Sequence, residues 1–233
     1  MKRHITAFIV AILCATCSIH AKITHLLPTP KTVKAGNGFF PLGKKIRLSD
    51  ASGNILLRTF AENNGGTTQS SDAPEIATEI VASIEEAYDY PLNGYPDEAY
   101  RLKIEPRKIT IKAVTPTGIT RATQTLMQLA EGYESTPALE CVEITDWPAF
   151  KLRGFMHDVG RSFIPFEEIK KEIDLLARFK INTFHFHLTE NQAWRFEVKR
   201  YPQLTADSSM TRFAGKYYTQ EQCRELELFA AER

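Results

Sequence analysis

Between Lys151 and Thr189 the sequence reads strand, helix, strand, and this order restricts the fold more than any other feature of the chain. "KLRGFMHDVG" is an apolar run that follows a turn at Trp147-Pro148, and "INTFHFHLT" is a second such run. Between them Ile169, Ile173, Leu176 and Ala177 recur at helical spacing, with Pro165 at the start and Glu167 and Glu168 beside the positive end of the helix dipole. The expected elements are a strand over 152–159, a helix over 166–180, a strand over 181–189 and a further helix from Thr219. Strands that alternate with helices pair in parallel. Two such units cannot close a sheet, because a (β/α)8 TIM barrel needs eight and about 250 residues. The part from 150 to 233 is therefore expected to be the first βα units of a barrel, incomplete in this chain, and the chain is read as the front portion of a longer protein.

Residues 22–146 have a different pattern, read as a small α+β accessory domain. Tyr100, Leu102 and Ile104 alternate with charged residues, as do Ile109, Ile111 and Ala113 after "EPRK", so a hairpin is expected. Thr117 is placed to cap a helix carrying Ile119, Ala122, Leu126, Leu129 and Ala130 and ended by Gly132. "APEIATEIVASIEEAY" suggests a second amphipathic helix through Ile76, Ile80, Val81 and Ile84, after a surface loop "ENNGGTTQSSD".

The first 21 residues combine a basic start, the apolar run "ITAFIVAIL" and a small-residue end, the pattern of a secretory signal peptide cleaved after Ala21. The run is shorter than the roughly 20 residues a bilayer requires, so no membrane span is expected. The neighbouring Cys14 and Cys17 lack the context for lipid attachment, so an exported periplasmic or extracellular protein is expected over an anchored one. Cys141 and Cys223 alone form neither a disulfide framework nor a metal cluster. With 29 Lys plus Arg against 28 Asp plus Glu, net charge gives no reason to expect nucleic acid as partner.

In "INTFHFHLT" Phe184, Phe186 and Leu188 fall on one side of the strand and His185, His187 and Thr189 on the other. Glu190 and Asn191 lie just past its C-terminal end, where barrel enzymes keep their active sites, and Arg161 stands at the equivalent end of the preceding strand. The ordinary role for either histidine is a hydrogen-bonded core group. The alternative is a metal-dependent barrel hydrolase with His185 and His187 as ligands, which needs further ligands. Trp194 suits packing, and Arg153 a pairing with a carboxylate at the opposite end of the strands.

"KLRGFMHDVGRSFIPFEEIKKEIDLLARFKINTFHFHLTENQAWRFEVKRYPQLT" resembles the opening of the catalytic barrel of family 20 glycoside hydrolases, the β-N-acetylhexosaminidases. Arg153, Gly154, Asp158, Arg161 and Pro165 meet the first part of the family pattern. Lys180, Asn182, His185, His187, Leu188, Gln192, Trp194 and Arg195 meet the second, and Tyr201, Pro202, Leu204 and Thr205 the third. "LLPTPKTV", "GITRATQTLMQL" and "ITDWPAF" resemble the family's accessory domain, so the likeness covers nearly all of the chain after residue 21.

The resemblance implies an exo-β-N-acetylhexosaminidase that uses the substrate's acetamido oxygen as nucleophile, retains configuration and needs no cofactor or metal. Its partners would be glycans ending in β-linked N-acetylglucosamine or N-acetylgalactosamine. Arg161 matches the arginine that grips sugar hydroxyls, and Glu190 stands where the family has an aspartate of the active-site polar network. Asn191 replaces a second aspartate, Ala193 a glycine, His157 an apolar residue, Gly160 a serine and Ser162 a histidine. No catalytic residue is expected within the chain, since the family's Asp-Glu pair falls beyond Arg233, and the chain alone is expected to be inactive. A non-catalytic glycan-binding protein would keep Arg161 and lack that pair.

Overall fold

The computed structural model describes residues 25–43, 45–67, 78–85, 95–131 and 138–233. The expected signal peptide and Gly132 lie outside the described residues. The chain forms two compact units, which divide between Phe150 and Lys151.

The first unit holds β1 (Thr32–Pro41), β2 (Ile46–Asp50), α1 (Ile55–Asn63), β3 (Gly66–Thr67), β4 (Thr78–Ile84), β5 (Tyr100–Glu105), β6 (Lys108–Ala113), α2 (Pro116–Ala130) and β7 (Ala138–Asp146). Its seven-stranded sheet has the order β1-β7-β5-β6-β4-β2-β3. The β5–β6 hairpin opposes Leu102 to Ile111 and Ile104 to Ile109, and all four side chains are buried. Period-two alternation has thus put one apolar face inward. β6, β4, β2 and β3 run parallel to one another, whereas β1, β7 and β5 pair antiparallel. On α2, Ile119, Ala122 and Leu126 join the same core as Leu57 and Phe60 of α1.

Two expectations need correction here. Thr115 caps α2, not Thr117: its hydroxyl accepts the Gly118 N–H at 3.4 Å, and Pro116 takes the first helical position. The segment expected to be an amphipathic helix contains β4, a central strand flanked by β6 and β2, with its ends outside the described residues. Ile80 and Ala82 point into the core, while Glu79 on the opposite face pairs with Arg47 at 2.7 Å and Lys108 at 2.9 Å.

The second unit contains β8 (Gly154–Asp158), α3 (Phe166–Arg178), β9 (Thr183–His187), β10 (Thr189–Glu190), β11 (Ala193–Trp194) and α4 (Gln220–Ala231). β8 and β9 pair in parallel from Gly154↔Thr183 to Asp158↔His187. α3 ends two residues before the expected position because Lys180 turns left-handed, with φ 61°. Its N–H bonds Ala177 O at 2.8 Å and that of Ile181 bonds Leu176 O at 3.0 Å, a Schellman closure. Arg153 donates through Nε to the carbonyl of Lys180 at 2.7 Å. α4 opens with a capping box: Thr219 Oγ1 accepts the Gln222 N–H while the Gln222 side chain accepts that of Thr219.

Val159, Ile169, Ile173, Tyr218 and Leu226 form this unit's core, with Phe184, Phe186 and Leu188 packed against them. Cys141 and Cys223, the cysteines among the described residues, are free thiols, the first buried and the second half-buried. Desolvation raises both pKa values. Among the described residues no helix is long and apolar enough to cross a membrane.

Candidate active site

Beyond Asp158 the strand β8 loses its partner, and the N–H groups of Val159 and Gly160 both turn to the carbonyl of His187, at 3.1 and 3.3 Å. The turn brings the chain back over Asp158, whose Oδ1 accepts the Arg161 N–H at 3.0 Å. On the neighbouring strand, β10 and β11 close a hairpin over Asn191-Gln192 that opposes Glu190 to Ala193. Arg161 thus lies within reach of two carboxylates. It donates from one terminal nitrogen to Asp158 Oδ2 at 2.7 Å and from the other to Glu190 Oε1 at 2.6 Å.

Close approach of the two strand ends depends on Gly160. A Cβ at this position would lie 2.9 Å from the Cβ of Glu190 and 3.1 Å from its backbone nitrogen. Such distances are below van der Waals contact, so any side chain here would displace Glu190.

His187 completes the cluster. Its Nε2 is buried and 3.4 Å from Glu190 Oε1, within electrostatic reach but without hydrogen-bond geometry. Asp158, His187 and Glu190 each place one potential ligand atom within 4.8 Å of the others, with Arg161 between the carboxylates. His185 is outside this group, with its ring centroid 5.8 Å from that of His187. Burial pushes the Asp158 carboxyl upward in pKa. The Arg161 N–H, the guanidinium, His187 and the Gly160 N–H outweigh it, and the net value is below the ordinary aspartate range.

A fork held by two anions, with its side chain 55% exposed, can offer its remaining donors to neutral hydroxyls. The sequence brought Arg161 and Glu190 to strand ends; the structure joins them directly. Asp158 was visible only as a match to a family pattern, His187 also by its side of the strand, and nothing local in the sequence marked Gly160 as a spacer. Trp194 donates its indole N–H to Phe196 O at 2.7 Å and is half-buried, in keeping with packing.

Arg195 is the least expected feature. It is fully buried, and its five N–H groups meet five backbone carbonyls: Nε to Val159, one terminal nitrogen to Phe213 and Lys216, the other to Gly160 and Arg212. Its distances range from 2.7 Å to Lys216 and Arg212 up to 3.4 Å to Gly160. In the sequence Arg195 stood only as a match to the family pattern, and the fold reveals the cage.

Residues 24–147 match the profile described as glycosyl hydrolase family 20, domain 2, and residues 150–233 that of the family 20 catalytic domain. A beta-hexosaminidase of Vibrio furnissii is 32% identical over 91% of this chain and 36% of its own length. One from Porphyromonas gingivalis is 45% identical over 59% of this chain and 19% of its own. Among solved structures, the beta-N-acetylhexosaminidase of Bacteroides fragilis superposes with a TM-score of 0.70 at 31% identity, covering 89% of this chain and 42% of that one. The exo beta-N-acetylglucosaminidase of Vibrio harveyi, in complex with N-acetylglucosamine, gives 0.72 at 29% identity, covering 91% and 35%. The chain therefore spans less than half the length of these relatives. With both of its parts matched and a relative aligned over nearly all of it, the chain belongs to glycoside hydrolase family 20.

Proposed function

We propose that this chain is the accessory domain and first two βα units of an exported exo-β-N-acetylhexosaminidase, whose barrel is completed by sequence beyond Arg233. The observation that carries this is the guanidinium of Arg161, pinned between Asp158 and Glu190 at the C-terminal ends of two parallel strands. Parallel strands with their charged groups gathered at that end are the arrangement on which barrel enzymes build sites. The names of the relatives support glycans with terminal β-linked N-acetylhexosamine as substrates.

In this reading the Arg161 fork donates to two hydroxyls of the terminal sugar and fixes the ring. The two carboxylates keep the fork in one plane, so little side-chain entropy is lost when the sugar arrives. The acetamido oxygen attacks the anomeric carbon, and an acid from the Asp-Glu pair protonates the leaving oxygen. That pair is supplied by the remainder of the protein, so residues 1–233 alone have no turnover.

The test is the full-length gene product with an aryl N-acetyl-β-glucosaminide. Arg161→Ala removes a charged donor worth roughly 1.5–3 kcal/mol, so kcat/KM is expected to fall about ten- to a hundredfold or slightly more. Near wild-type turnover by a folded Arg161→Ala protein would refute the assignment of this arginine, and no turnover by the wild type would refute the substrate class.

A further inference from the structure

We infer that Arg195 is a positioning residue, which locks the loop from Met210 to Tyr217 against the strand end that carries Arg161. A guanidinium has five N–H groups, and here each meets a separate carbonyl. Two of these carbonyls, Val159 and Gly160, immediately precede Arg161; the other three, Arg212, Phe213 and Lys216, belong to the loop. The same side chain also contacts Met210 Sδ at 3.3 Å and lies 5.8 Å from the ring centroids of Phe163 and Phe213.

Packing alone would not need a charge here, because an apolar residue of similar volume fills space without the cost of burying a cation. What the arginine supplies is a planar set of donors at fixed angles, which holds two backbone segments in one relation. The loop accepts a backbone penalty to meet it. Phe213 takes a left-handed conformation, φ 48°, that non-glycine residues rarely adopt. Its carbonyl is one of the five acceptors. The loop is tied to the site a second time by the Thr211 N–H, which donates at 2.8 Å to the carbonyl of Gln192 in the turn after Glu190. The chain N–H and C=O of Arg195 complete the brace, bonding Leu188 O and the Tyr218 N–H at 2.8 Å each.

Loss of Arg195 frees the Gly160 carbonyl, and Gly160 is the residue packed against the Cβ of Glu190. The disturbance therefore reaches the Arg161–Glu190 contact without either side chain being changed. Lysine cannot substitute, since its three donors on a tetrahedral nitrogen do not match five carbonyls around a plane.

The test uses the full-length protein and two readouts. In amide hydrogen exchange, Arg195→Ala is expected to raise exchange roughly tenfold or more in peptides spanning 211–217 and 159–162, with α3 and the β5–β6 hairpin unchanged. Phe213→Pro, a change at a half-exposed position whose φ proline cannot adopt, is expected to give the same pattern with the arginine intact. It decides the matter if Arg195→Ala does not fold. The kinetic readout rests on the N-acetylhexosaminidase reading above. On an aryl N-acetyl-β-glucosaminide, Arg195→Ala should lose about ten- to a hundredfold in kcat/KM, Arg195→Lys nearly as much, and guanidinium chloride at millimolar levels should restore part of the Arg195→Ala loss. Combined with Arg161→Ala, the Arg195→Ala variant should lose less than the product of the two single effects. An exchange increase that leaves 159–162 untouched in both variants, or one spread evenly over the protein, would overturn the inference, as would independent kinetic losses. A wild type without turnover would remove the substrate class alone, and the exchange pattern would still decide the role of Arg195.

Discussion

Replacing Gly160 by alanine tests the geometry of the site without touching a charged group. Gly160 is not among the glycines with positive φ, so alanine meets no backbone penalty and the cost is purely steric. The new methyl would lie 2.9 Å from Glu190 Cβ, 3.1 Å from Glu190 N and 3.2 Å from Asp158 Oδ1. The first two atoms belong to the chain or its base and cannot swing aside. Overpacking of this kind costs about 1–3 kcal/mol. The lower entropy of an unfolded alanine returns about 0.4–1 kcal/mol. The net expectation is a loss of up to about 2.6 kcal/mol, with the melting temperature lower by about 2–4 °C for each kcal/mol. Gly154→Ala is the internal control, because its methyl would approach nothing nearer than Thr183 O at 3.7 Å. That variant should be neutral or slightly stabilised. Thermal and urea unfolding of both proteins is the assay. Equal stability of the two alanine variants would refute the claim that Gly160 sets the distance between Arg161 and Glu190.

Three further outcomes follow from the same description. Glu190→Gln keeps the shape but removes one anion from the Arg161 fork, so in the full-length enzyme both the rate and the pH profile of kcat/KM should change; an unchanged profile at unchanged rate would place Glu190 outside the site. The folded pKa of Asp158 lies below its unfolded value of 3.8, so its contribution to stability is complete above that value and is lost as pH falls through the folded pKa. Asp158→Asn should accordingly narrow its stability deficit on acidification below pH 3.8, and a deficit constant from pH 7 to pH 2 would contradict this. Thr219→Ala removes half of the α4 capping box and should cost about 1 kcal/mol, while Thr219→Ser should cost little; equal losses in urea melts would argue against capping as the cause.

The elements that sequence spacing revealed best are those whose two periodicities cannot be confused. Tyr100, Leu102 and Ile104 alternate strictly, and only a strand buries all three. The reading of Ile80, Val81 and Ile84 as part of a helix failed for a physical reason: the spacing of four from Ile80 to Ile84 returns to one side in both a helix and a strand. The intervening Ala and Glu residues favoured the helix locally, and pairing with β2 and β6 on both edges overrode them. In the site, Arg161 and Glu190 were legible because strand ends are. Their contact across 29 positions, the slot at Gly160 and the carbonyl cage of Arg195 were not, since each depends on which backbone atoms the fold brings together.

The outermost strand of the first unit has a consequence for how the chain is born. β1 pairs with β7, setting Thr32 against Thr145, so the first strand to leave the ribosome waits on the order of a hundred residues for its neighbour. At about 5–20 residues per second, that interval is roughly 5–25 s. Meanwhile β5 and β6 can pair as soon as they emerge, since a short turn joins them. Sheet assembly thus begins in the middle of the unit and reaches the N-terminal strand last. A nascent chain extended only to Ala113 would hold the hairpin but leave β1 without its partner, open to proteases until Asp146 is made.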